Sequence, residues 1–106
     1  MKTLFATTAA LALTASSAFA DGHASYTIGV SNTVQGNGWR EQIICAMRAQ
    51  ARVEPHVTNI IVAHRNTDSA GQLEDINNLI EAGVDAIVLN PSNPEALNSA
   101  LDAAMA

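Results

Sequence analysis

Three short clusters hold most of the side chains in this chain that are suited to chemistry. The first is Gln35, Asn37, Trp39 and Arg40; the second is His64, Arg65, Asn66 and Asp68; the third is Asn90, Ser92 and Asn93. Amides both donate and accept hydrogen bonds, a carboxylate accepts, and a guanidinium donates through a rigid fork. That inventory suits recognition of a small polar ligand better than bond-making, because no nucleophile stands at a telling spacing from a base. His64 with Asp68 raises the thought of a metal or a general base. Catalytic zinc takes three protein ligands, and the other histidines lie elsewhere, His23 near the N-terminus and His56 before the second strand. No metal is expected. Gly36-Asn37-Gly38 ahead of a helix invites a dinucleotide reading, but that fingerprint needs a third glycine where Glu41 stands. No cofactor is expected, and Asn37 serves more simply as the cap of the helix that follows.

Each polar residue has a structural role open to it as well as a binding one. Trp39 is placed either to stack on the C–H face of a ring-shaped ligand or to anchor the core beneath its loop. Arg40 either pairs with a ligand hydroxyl or carboxylate or is simply solvated. Asp68 caps the next helix, holds a ligand hydroxyl, or does both. Asn90, Ser92 and Asn93 serve turn and cap chemistry, with a ligand or hinge role as the alternative.

The elements that must carry these clusters alternate strand and helix. Tyr26–Ser31 reads as a first strand with Gly29 allowing close backbone approach, and Trp39–Val53 as a helix. Trp39, Ile43, Met47 and Gln50, joined by Ala46, form the expected face of that helix. Pro55 ends it. Val57–Ala63 is the second strand and His64–Asp68 its loop. A helix begins near Ser69 with Ser69 and Gln72 in the form of a capping box. Leu73, Ile76, Leu79 and Ile80 are its buried stripe, and Gly83 its left-handed terminus. Ala86–Asn90 is a continuous apolar run suited to a buried parallel strand. Pro94 at the first helical position, with Ser92 and Glu95 as a second capping box, opens a last helix whose face is Leu97, Ala100, Leu101, Ala104 and Met105. Helical crossovers between strands make the sheet parallel and right-handed. The expected fold is α/β: a three-stranded parallel portion, order 2-1-3, of a doubly wound lobe. All three clusters then meet at the carboxyl edge, where that order reverses and ligands bind.

Composition narrows the setting. Lys2, the apolar stretch from Leu4 to about Ala15, and Ala18-Phe19-Ala20 make a secretory signal peptide cleaved after Ala20. The stretch is too short to span a bilayer, which takes about 20 apolar residues. Residues 1–20 hold one of the five basic residues and none of the ten acidic ones, so residues 21–106 carry a net charge of −6. Nucleic acid and anionic membranes call for clustered Lys and Arg and are excluded as partners. Cys45 is the single cysteine, so no intrachain disulfide forms. Its place between Ile44 and Ala46 predicts a buried structural thiol. A parallel sheet needs helices on both faces, and the last apolar pattern, Leu101–Ala106, has no closing signal. Residues 21–106 therefore read as part of a larger domain, with the third strand's edge free and half of a binding site missing.

YTIGVSNTVQGNGW, HRNTDSAGQLEDINNLIEAGVDAIVLNPSN and PEALNSALDAAMA together resemble the substrate-binding proteins of bacterial ABC sugar importers, the ribose-binding type of periplasmic binding protein. The resemblance runs from about Tyr26 to Ala106. It implies a periplasmic, non-enzymatic protein of two α/β lobes, monomeric when whole. Such a protein traps a monosaccharide and delivers it to an inner-membrane permease. It implies ligand contacts at Asn37, Trp39 and Asp68, with Gln35 beside them; Arg40 and Asn90 join these as candidate ligand residues on their own chemistry. Family members often show Asn-Pro and two aromatics in the first loop; here Gly38 replaces the proline and Arg40 follows the lone Trp39. Related sugar-responsive repressors carry a DNA-binding headpiece where this chain has its leader. A periplasmic sensor subunit for a membrane receptor and an exported α/β enzyme with catalytic residues beyond Ala106 are the alternatives.

Overall fold

The computed structural model describes residues 24–106. The expected leader segment, its expected cleavage after Ala20 and His23 lie outside the described residues. The elements are β1 (Tyr26–Asn32), α1 (Gly38–Val53), β2 (Val57–His64), α2 (Ser69–Glu81), β3 (Ala86–Asn90) and α3 (Asn98–Met105). The strands form one sheet in the order β2-β1-β3 with both pairings parallel, as the sequence predicts. β1 and β2 each run one residue further than expected. Asn32 and His64 thus belong to the ladder and not to the loops.

Alternation along β1 sorts the sheet into two faces. Gly29 and Ser31 face α2. A methyl group at Gly29 would lie 3.1–3.2 Å from both Leu79 Cδ atoms and Val84 Cγ2, so the bare glycine lets α2 settle closely on the sheet. The core on this side joins Ile76, Leu97 and Ala100 with Leu73, Ile80, Ile87, Leu89 and Leu101. α2 ends as expected: Gly83 has φ +71° and donates its N–H to the Ile80 carbonyl at 2.9 Å. On the other face α1 packs across β1 and β2. Among its residues only Ile44 is buried, with Ile43 and Met47 half-buried. The expected face is turned by one residue, and Trp39, Ala46 and Gln50 are exposed. A helix lying on one side of a sheet buries a narrow seam, and Ile44 is that seam. Cys45, a helical step round from Ile44, is exposed, which corrects the expectation of a buried thiol. Val88 of β3 is 42% exposed on this face, where Ile28, Val30, Met47, Ile60 and Val88 line an apolar groove. β3 is therefore covered on one face only.

Both expected capping boxes are replaced. The N-cap of α2 is Asp68, whose carboxylate accepts from the Gly71 N–H at 3.0 Å; Gln72 is turned inward. Pro94 does not open α3. Asn93 Oδ1 accepts from the N–H groups of Glu95 and Ala96 at 2.9 and 3.0 Å, capping a turn over 94–97 before the helix begins at Asn98. Leu97 and Ala100 are buried and Leu101 half-buried, but Ala104 and Met105 lie outside the core.

Candidate functional site

The last rung of the sheet sets out the site. Asn32 pairs in register with His64 on one side and Asn90 on the other, so three polar side chains stand in a row across the carboxyl edge. Ser31, Asn32 and Thr33 are all buried, unusual for polar residues at a strand end. A buried polar group is costly unless bonded, and every buried side-chain nitrogen and oxygen among the described residues has a partner.

Asn32 lies at the centre of the first network. Its amide nitrogen is 2.8 Å from His64 Nδ1 and donates to the Val34 carbonyl at 3.1 Å. Its amide oxygen accepts from Arg40 Nη1 at 2.6 Å. His64 Nε2 is 2.9 Å from Glu41 Oε1, which also accepts the Gly36 N–H at 2.8 Å. The Gly36 N–H, followed by His64, holds the Glu41 carboxyl below its ordinary range. The β1–α1 loop is further pinned by the Gln35 N–H on Asn66 Oδ1 at 2.7 Å and by the Gln35 side-chain amide on the His64 carbonyl. Asn37 caps α1 as expected, accepting from the N–H groups of Trp39 and Arg40 at 3.1 and 3.4 Å.

Gln72 forms the second network. Fully buried, it donates to Ser31 Oγ at 3.2 Å and to the Asn90 carbonyl at 3.0 Å, and accepts the Ser92 N–H at 2.8 Å. It ties α2 to the ends of β1 and β3 together. Behind it Asp75, also buried, takes Arg65 side-on through Nε and Nη2 at 2.9–3.1 Å. Asp75 is the main cause that raises the Arg65 pKa. Sequence reading passed over Asn32 and Asp75 in these roles and took Gln72 for a capping residue. The signal was present: Gln72 and Asp75 interrupt the apolar stripe at the same helical spacing as Ile76 and Leu79.

The expected ligand residues divide by what the fold asks of them. Trp39 is 61% exposed and not a core anchor; Arg40 Cζ lies 5.3 Å from its ring centroid, a cation–π arrangement. Arg40 is held by Asn32 and is not freely solvated. Asn37 and Asp68 spend acceptors on helix caps, yet among the described residues Asn37 keeps its amide donors and Asp68 its second oxygen. Asn90 is half-buried beside a hollow at the switch point walled by Ser31, Asn32, Asn90 and Pro91 at its polar end and by Ile43 and Met47 of α1. Gln35, Asn37, Trp39 and Arg40 share one rim through the β1–α1 loop, and Asp68 stands beyond it at the start of α2. Among the described residues, no three His, Cys, Asp or Glu side chains converge as metal ligands would.

A parallel 2-1-3 sheet is common to many doubly wound folds, and the family is decided by the sequence match. Residues 28–106 fit the periplasmic binding protein domain. The chain belongs to that family. This periplasmic binding protein domain is 28% identical over 81 residues to the ribose import binding protein RbsB of Bacillus subtilis, covering 76% of this chain and 26% of RbsB. It superposes with a TM-score of 0.66 on the crystal structure of an ABC transporter solute-binding protein from Mycobacterium smegmatis with bound glycerol, at 26% identity, covering 74% of this chain and 27% of that one. The chain thus spans about a quarter of the length of these relatives. Both relatives are solute-binding proteins by name, and the resemblance drawn from the sequence stands at the level of family and fold.

Proposed function

We propose that residues 21–106 are part of the first lobe of an extracytoplasmic solute-binding protein of an ABC importer. The ligand is a monosaccharide or similar polyol, passed on to a membrane permease without reaction. One observation carries the reading. Three strand ends at a topological switch point present amides, a carboxylate, a guanidinium and an exposed indole, with spare donors and acceptors, beside a small hollow. Sugars offer alternating donors and acceptors around a ring with apolar faces, and this set answers both. Trp39 supplies the flat apolar surface. Arg40, the Asn37 amide and the second Asp68 oxygen supply hydroxyl partners, with Gln35 and Asn90 flanking them. Hydroxyls matched this way reject an isomer by leaving a buried group unpaired.

Calorimetric titration of the full-length protein with a panel of pentoses, hexoses and polyols tests the reading. One-to-one saturable binding without chemical change of the ligand is expected, weakened by Trp39→Ala and by Asp68→Ala. Product formation, or a panel with no binder, would overturn it.

A further inference from the structure

The first network fixes its own proton arrangement. Arginine has no acceptor, so the Asn32 atom 2.6 Å from Arg40 Nη1 is the amide oxygen. The amide nitrogen therefore points at His64 Nδ1, 2.8 Å away, and its second hydrogen at the Val34 carbonyl. A donor facing Nδ1 leaves that nitrogen as a lone pair. The ring proton of neutral His64 is then on Nε2, directed at the Glu41 carboxylate. Four side chains thus share one consistent hydrogen-bond order, set by the one member that can never accept.

A second proton on His64 breaks that order. Protonated Nδ1 would set N–H against N–H across 2.8 Å. Turning the Asn32 amide over repairs this contact but gives up Val34 and aims an amide N–H at the Arg40 guanidinium. Either way one of the two contacts is lost, and the amide that accepts from protonated His64 no longer accepts from Arg40. The charged groups facing His64 are Glu41 and, through Asn32, Arg40, both from α1. β1 brings no charged side chain to it, and Arg65 next in the chain is turned to Asp75 and Glu74. Glu41 is ionised throughout histidine's titration range, its carboxyl being held low, so it retains its bond to Nε2 in both states. The consequence falls on Asn32 and Arg40.

We propose that His64, acting through Asn32, is a positioning residue that holds Arg40 and the Trp39 stacked beneath it in the ligand-competent arrangement only while Nδ1 is unprotonated. Acid therefore releases Arg40 and weakens ligand binding. The affinity part of this proposal rests on the sugar-binding reading; the proton arrangement does not.

Two measurements on the full-length protein test it. Nitrogen NMR of the His64 ring at about pH 8 should show the Nε2–H tautomer, and the Arg40 guanidinium resonances should shift as His64 titrates. Calorimetry with the best-binding sugar should show affinity falling by about tenfold between about pH 8 and pH 5, the scale of one lost charge-assisted hydrogen bond. In His64→Asn, which offers an acceptor that does not titrate, the ratio of affinities at the two pH values should drop towards one. A proton on Nδ1 at about pH 8, Arg40 resonances indifferent to His64, or an unchanged ratio in His64→Asn would overturn the proposal. If no sugar binds at either pH, the functional reading fails and the NMR result still decides the positioning role.

Discussion

Ser31 and Asn32 are neighbours on β1, yet they belong to two polar networks built on different terms. Ser31 points towards α2 and joins Gln72, Asn90 and Ser92, a set with no titratable side chain around a fully buried amide. Asn32 joins Arg40, His64 and Glu41, all of which carry charge or acquire it, and Glu41 is about half exposed. A neutral, closed network keeps one geometry at any pH and resists rearrangement. A charged network at the rim responds to its medium and is easily rehydrated. The first fixes the scaffold of the switch point; the second holds the loop that carries Trp39.

The contrast predicts an order of effects. Gln72→Leu should be the most damaging, since it leaves Ser31, the Asn90 carbonyl and the Ser92 N–H without their partner; about 3 kcal/mol of unfolding free energy should be lost in urea titration. The loss should be the same at about pH 5 and pH 8, and a strong pH dependence would blur the distinction drawn here. Asn32→Ala should cost less, about 2 kcal/mol by the same measurement, because Arg40 turns to water when released and His64 keeps its bond to Glu41. A cost above that of Gln72→Leu would reverse the comparison. Asn37→Ala removes the α1 cap for about 1 kcal/mol, readable as a lowered thermal midpoint. Smallest is Glu41→Gln. The folded-state pKa of Glu41 lies below its ordinary value of 4.5, so the carboxylate stabilises the fold above that value and the contribution is lost as pH falls through the folded pKa. Thermal midpoints of the native protein should therefore drop more steeply on the acid side of pH 4.5 than those of Glu41→Gln.

The alternation of elements was legible in the sequence because buried strands and helix stripes are written in apolar residues at fixed periods. Signals tied to backbone geometry could also be read: Asn37 as a cap, Gly83 at a left-handed terminus, Pro55 after α1. Reading failed where a local pattern had a distant use. Ser69 and Gln72 match a capping box, but Gln72 is claimed by Ser31, 41 residues away, and the cap passes to Asp68. Cys45 sits among apolar neighbours in sequence, yet on a one-sided helix adjacency does not bring burial. Asn32 and His64 looked like loop residues because strands seldom end in buried polar side chains. Their role emerges only from a register that pairs them. The candidate ligand residues were legible as loop positions, whereas the side chains that hold those loops were not.

The two networks together act as a vernier on the sheet. Strand side chains alternate faces, so sliding β1 by one residue against its neighbours would carry Asn32 to the α2 face and Ser31 to the α1 face. Both sets of partners would be lost at once. Apolar positions such as Val30 and Ile28 discriminate poorly between neighbouring registers, whereas a buried amide with assigned partners does not tolerate the wrong one. Asn32 and Gln72 are thereby committed to alignment, and freedom to vary is left to the rim, at the exposed Trp39, Asn37 and Gln35, which lie outside the strands.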